Sequence, residues 1–291
     1  LFIIRARTGN SASQQSPHLT IQDFNGGDRD DFDGYLDLYY ARYERPFGNL
    51  LLGRHAFPFW KQNELFWHDD VTVTGASFQW ANEGPLQGTV GAFYLPDGGW
   101  GLNGQLLGAQ IAYIREVGDW TFTAAEGFYR LHGEPGASKL RNGNGARDYA
   151  IFGNQLQLKG RVGGIPVKIG ADTYVNLEDY STDDANPFTA ANANVNFGYV
   201  LSLMTTAGDF LIGYYYAYIE TLAVNASYSH DDWIRCGSNG QTDSSDLHVH
   251  EVRLGYQITE NFNTVARLYL VDAVTSEQDG QRFRIDFNYK F

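Results

Sequence analysis

The sequence predicts an all-β fold, a transmembrane antiparallel up-and-down β-barrel of about 14 strands with long outer loops and short periplasmic turns. Three observations predict it: side chains alternate between apolar and polar in one segment after another, short and long connections alternate along the chain, and the composition favours strands and turns. The 291 residues include 33 glycines and 15% aromatics, but one cysteine and one methionine. Tyr, Phe, Gly, Asn, Thr and Asp are prominent, whereas a soluble α/β enzyme of this size is rich in Ala, Leu, Glu, Lys and Met. No Pro-rich, Ser-rich or single-charge stretch marks a linker, so residues 1–291 are expected to form one barrel domain.

The strands can be followed in order. Leu1 reads as mid-strand, which predicts that residues precede it. Ile165, Val167, Ile169 and Ala171 oppose Lys168, Asp172, Tyr174 and Asn176. Val195, Phe197, Tyr199, Leu201 and Leu203 oppose Asn194, Asn196, Gly198 and Ser202, and Val252, Leu254, Tyr256 and Ile258 oppose Glu251, Arg253, Gly255 and Gln257. The last segment is the clearest: Phe283, Ile285, Phe287, Tyr289 and Phe291 alternate with Arg282, Arg284, Asp286, Asn288 and Lys290. A period of two with one oily and one watery side is the signature of a strand between two media.

Short turns of Gly, Pro, Asn and Asp fall at 46–49, 82–85, 117–119, 163–164, 207–209 and 259–261. Longer polar connections lie at 9–34, 59–69, 96–103, 133–147, 179–191, 223–246 and 275–280. The strict alternation of the two kinds yields an even strand count with both termini at the short-turn end, as in outer-membrane barrels. A soluble sandwich or lipocalin-like barrel, the alternative for the same aromatics as core, has no reason to sort its loops this way. Aromatics gather where headgroup girdles should fall, at Tyr39, Tyr40, Tyr43, Trp80, Trp120, Phe122, Tyr214, Tyr215, Tyr216, Tyr218, Tyr289 and Phe291. A helical span would need roughly 18 consecutive apolar residues, and the longest apolar run, Phe210–Ile219, is mostly Tyr and contains a Gly.

Two stretches resemble known proteins. Termination at Phe291, with aromatic or apolar residues at alternate positions before it, resembles the signal that delivers outer-membrane proteins to the barrel-assembly machinery. Residues 53–80, GRHAFPFWKQNELFWHDDVTVTGASFQW, resemble the porin family of proteobacterial outer-membrane barrels: Gly-Arg, then Pro-Phe-Trp, then a Trp followed by acidic residues and a Gly-containing strand. The preceding YLDLYYARYERP fits that family's second strand. The resemblance implies a water-filled pore in the bacterial outer membrane, without naming a solute. Members often carry a helical segment ahead of the barrel, and none is evident here.

If the apolar faces meet lipid, the opposite faces line the lumen. They supply Arg5, Arg7, Arg54, Lys159, Arg161, Lys168, Arg253, Arg267, Arg282, Arg284 and Lys290 against Asp37, Glu126, Asp172, Glu251 and Asp286. The basic excess predicts a weak anion preference, unless these groups pair with facing carboxylates and only stabilise the wall. The net charge of -13 resides in loops: Asp28, Asp30, Asp31 and Asp33, Asp69 and Asp70, Glu178, Asp179, Asp183 and Asp184, and Asp231, Asp232, Asp243 and Asp246. These are expected to be solvated, with divalent bridging to lipopolysaccharide as a second role. GGDRDDFDG lacks the spacing of a calcium loop.

No catalytic site, cofactor or metal is expected. His248 and His250 share a strand face but lack a placed third ligand. No Ser, His and Asn group together as in an outer-membrane phospholipase. Nucleic acid is disfavoured as a partner by the charge. Outer-membrane lipid, lipopolysaccharide and the assembly machinery are the expected partners, and a homotrimer is compatible with the apolar belt. Fourteen strands fall between barrels of about eight, filled by their own side chains, and about sixteen to eighteen, which leave a channel. Loops 9–34 and 223–246 are long enough to fold inward. The function expected is passive diffusion of ions and small hydrophilic solutes; the alternatives are an export channel for a secreted polypeptide and a hydrophobic-substrate transporter.

Overall fold

The structure, a computed structural model, describes residues 1–9, 33–81, 84–96, 101–133, 147–230, 232–233, 244–275 and 279–290. Asp28, Asp30, Asp31, Asp231, Asp243, Phe291 and most of the 9–34 connection lie outside the described residues.

Fourteen strands follow in order: β1 Phe2–Gly9, β2 Asp33–Arg45, β3 Gly48–Ala56, β4 Thr72–Ala81, β5 Leu86–Pro96, β6 Leu102–Val117, β7 Trp120–His132, β8 Tyr149–Val162, β9 Ile165–Asn176, β10 Phe197–Ala207, β11 Phe210–Ile219, β12 Leu247–Thr259, β13 Phe262–Ala273 and β14 Asp279–Tyr289. They belong to one sheet, each strand beside its neighbours in sequence, with antiparallel registers. Most exceed the usual strand length of globular sheets, reaching 16 residues in β6. The expected up-and-down order, strand number and sorting of connections all hold.

The two-residue turns explain part of that order. At 163–164 both residues have positive φ, 59° at Gly163 and 84° at Gly164. This is the geometry whose twist matches a tight hairpin and which glycine adopts without a Cβ penalty. The connection between β9 and β10 holds the one short helix among the described residues, α1 Pro187–Ala191. Asn186 caps it by accepting from the Phe188 and Thr189 amides, with proline opening the first turn.

Contacts gather the chain into two compact units: Leu1–Ile111, Gly127–Ala150 and Asn225–Asp231 form one; Ala112–Glu126, Ile151–Val224 and Asp232–Phe291 form the other. Within each, mid-strand rows invert the burial of a soluble sheet, while apolar side chains are also buried toward the long connections, among them Leu95, Leu106 and Leu131 in the first unit and Ile219, Leu247 and Val271 in the second. In the first, Leu52, Val90, Leu107 and Ile111 are exposed while Ser77 and Gln110 are buried. In the second, Ile169, Leu201, Leu203, Ile212, Leu254 and Ile285 are exposed while Asp172, Ser202 and Glu251 are buried. Rows of exposed large apolar side chains against buried charge suit a lipid-facing wall, and this excludes the packed soluble interior held as the alternative.

One expectation is corrected in the first unit. The 59–69 stretch was expected among solvated outer loops, yet the connection 57–71 packs against the polar face of β5–β7. Phe59, Leu65, Phe66 and Trp67 are buried. Trp67 stacks between Phe57, at 4.6 Å, and Tyr228, at 5.1 Å between ring centroids. Phe59 and Phe66 lie against Tyr129 of β7. The reason is in the residues themselves: three Phe and two Trp within 57–67 bury far more favourably than they hydrate.

Candidate pore-lining faces

The polar face of the second unit is built from cross-strand rows. Positions directly opposite one another run Lys159 to Lys168, Met204, Gly213, Arg253, Arg267 and Arg284 from β8 to β14. Five of these seven positions are cationic, brought together although the residues are scattered along the chain from Lys159 to Arg284. The adjacent row passes through Ser202, Tyr215, Glu251, Tyr269 and Arg282.

The β12–β14 part of this face is neutralised locally. Arg253 forms an ion pair with Glu251, with Nη2 donating to Oε2 at 3.0 Å, and lies 4.3 Å over the Tyr215 ring. Glu251 also accepts from the Trp233 indole at 2.7 Å. Asp232 accepts from Arg267 at 3.0 Å, from Arg284 at 2.5 Å and from the Tyr269 hydroxyl at 3.2 Å, with Arg282 3.8 Å away. Asp286 pairs with Arg267 at 3.1 Å and with Arg284 at 2.5 Å. Charge-assisted bonds of this kind, partly shielded from water, are stronger than exposed ones. Asp232 and Trp233 come from the 220–246 connection, so part of that connection folds back onto the wall.

In the first unit a second network forms. A bulge between Arg5 and Ala6 leaves Asp37 as the extra residue of β2, and bulges re-aim side chains in this way. Arg5 Nε donates to Asp37 Oδ2 at 2.9 Å, Arg7 stands 3.8 Å from the same carboxylate, and Arg7 pairs with Asp70 at 2.7 Å. Asp70 and Asp232 were expected to be solvated outer-loop acids. They instead reach back to arginines, because an arginine row on a partly dry face leaves a large unmet potential.

The other predicted lining residues separate. Lys159 and Arg161 are exposed and Lys168 is half-buried, with no ion pair among the described residues. Asp172 is buried opposite Gln155. Arg54 is buried, its Nε donating to Thr72 Oγ1 at 2.7 Å, and it is bound within the wall rather than presented to solvent. Glu126 is misplaced by the sequence reading: it shares the exposed row of β7 with Phe122 and Ala124, opposite buried Thr123 and Ala125. The run TFTAAEG has too few large side chains to set its phase. His248 and His250 find partners on their own face, Asp272 at 3.2 Å and the Tyr214 hydroxyl at 2.7 Å.

Above the first unit's wall, the connection 57–71 is tied by the His68 amide donating to the Tyr228 carbonyl and the His230 amide to the Glu64 carbonyl, at 2.7 and 2.9 Å. Burial pushes the Glu64 carboxyl up from its ordinary value, opposed by the neighbouring His68 and the Asp69 amide.

Solved structures with this architecture were found at low sequence identity. Pseudomonas putida OprB matches with a TM-score of 0.58 at 12% identity, over 87% of this chain and 72% of that one. Pseudomonas aeruginosa OccK8 (OprE) matches with 0.54 at 12%, over 90% and 72%. Acinetobacter baumannii OccAB4 matches with 0.55 at 12%, over 89% of this chain but 66% of its own. This is the fold of an outer-membrane porin. Neither a family model nor a curated protein matches the sequence. In a barrel of that fold the exposed apolar rows suit the lipid-facing belt.

Proposed function

We propose that the chain is a passive diffusion channel of the bacterial outer membrane, a single barrel domain over residues 1–291 that passes ions and small hydrophilic solutes. The observation that carries this reading is the inverted burial: charged residues such as Glu251 and Asp172 on the protected face, with Leu201, Leu254 and Ile285 exposed on the other. A transporter of hydrophobic substrates would be expected to line its protected faces with apolar groups throughout, whereas that of the second unit carries rows of Arg, Lys, Glu and Asp.

A weak anion preference belongs to the same proposal. Pairing with Asp232, Asp286, Glu251 and Asp37 cancels much of the basic excess, while Lys159, Arg161 and Lys168 retain theirs, and an uncancelled potential favours counter-ions in a pore. Planar-bilayer recording tests both levels. Steady ohmic conductance is expected, with a zero-current potential in a salt gradient displaced toward the anion's. A barrel silent at every voltage would defeat the channel, and a clear cation preference would defeat the selectivity.

A further inference from the structure

At the β8–β10 end of the row that carries the networked arginines, the same face of the second unit forms a cavity of about 370 Å³ near the short turns 118–119, 163–164 and 208–209. Thr121, Lys159, Arg161, Lys168, Met204 and Thr206 are among its lining residues. Lys159 and Lys168 are directly opposed across β8 and β9, an arrangement of like charges that destabilises a sheet. Arg161 lies two residues farther along the same side of β8. Among the described residues none of the three has a carboxylate within 4.0 Å; Asp119 lines the rim, and the carboxylate whose charge reaches Lys168 is Asp172 on its own strand. A wall that elsewhere pairs its arginines leaves three cations together here, around space enough for a ligand.

We infer that this cavity is a binding site for small multivalent oxyanions of the phosphate class, gripped by Lys159, Arg161 and Lys168. A halide offers one charge and no directional acceptors. A tetrahedral oxyanion offers two charges and four oxygens, which can accept from two ammonium groups, the guanidinium fork and the Thr121 and Thr206 hydroxyls together. The inference rests on the channel reading, because the site is reached from water only if this face lines a lumen. It adds a discrete station at the short-turn mouth to a pore with an otherwise diffuse preference.

The test is chloride current through single channels with inorganic phosphate added to one side at a time. Phosphate is expected to reduce the current saturably, more strongly from the short-turn side, and the Lys159→Ala/Lys168→Ala variant is expected to need at least tenfold more phosphate for the same reduction. Lys168→Arg, which keeps the charge, is expected to retain the effect and guards against a variant that fails to fold. Current that passes but ignores phosphate, or responds equally in the double variant, overturns the site and leaves the channel standing. If no current passes at all, the channel reading fails, and calorimetric titration of the detergent-solubilised barrel with phosphate decides the site alone: heat lost in the double variant supports it, and no heat from the unaltered chain overturns it.

Discussion

The polar faces of the two units are covered in opposite ways. On β5–β7 the face carries small or uncharged residues such as Gly108 and Gln110, and an aromatic connection packs on them. A Cβ on Gly108 would stand 2.5 Å from the Phe59 ring. On β12–β14 the face carries Arg253, Arg267, Arg284, Glu251 and Asp286, and the chain that returns to it brings Asp232 and Trp233. The strand period is the same in both. What differs is whether the protected positions offer a surface to touch or a charge to answer. Dispersion needs atoms within about 4 Å and so demands glycine clearance; ion pairs act over longer gaps and tolerate a looser fit.

Replacing Trp67 with Ala should have the largest effect, because it removes a ring stacked on both sides. A loss of about 3–5 kcal/mol is expected within the first unit, read as faster hydrogen exchange over 57–71 with β12–β14 unchanged. Equal acceleration in both places would mean that the two coverings are not separable.

The apolar belt supplies the next contrast. Ile285→Arg, central in β14 on the exposed row, should cost about 2–4 kcal/mol in urea titrations of the barrel in lipid vesicles. Gln157→Arg, on the protected face of β8, should cost less than about 1 kcal/mol, since lumen-facing changes tune selectivity more than stability. Similar penalties at both sites would contradict the assignment of faces.

Asp232→Ala sharpens the charged side. Three arginines lose a shared partner, so a cost of about 2 kcal/mol is expected, between the values for exposed and buried pairs. The zero-current potential should move further toward the anion's. An unmoved potential would show that the arginines find other counter-charge.

The smallest effect concerns pH. Burial raises the Glu64 carboxyl in the folded protein, so its neutral form favours the packed connection. That contribution is fully present below the unfolded value of about 4.3 and is lost as pH rises through the folded value. Hydrogen-exchange protection of 57–71 should therefore fall as pH climbs from acid toward neutral, and Glu64→Gln should flatten the dependence. A wild-type profile already flat over that interval would remove Glu64 from the account.

Much of this was legible in the chain. Alternation at 165–176, 197–203, 251–258 and 282–289 located strands and faces, and Gly163–Gly164 located a tight hairpin, because period and positive φ are local properties. Glu126 was assigned to the wrong side because Thr-Ala-Ala-Glu-Gly carries no strong phase. Asp70 and Asp232 looked like solvated loop acids, since nothing in their neighbours announces an arginine about 35 to 60 residues away in sequence. The aromatic run at 57–67 was itself a signal that its connection would not remain in water.

By itself, then, the order of residues determined a membrane-spanning sheet of fourteen strands, its two faces and its sorted connections, all consequences of short-range geometry and of the medium each side chain prefers. Only the tertiary structure decided which charges meet. It aligned Lys159, Lys168, Arg253, Arg267 and Arg284 in one cross-strand row, brought Asp232 to three of the wall's arginines, and left Lys159 and Lys168 of that row together with Arg161 around a cavity. Such pairing depends on register summed over seven strands and on where long connections return, and neither is encoded within reach of any one segment.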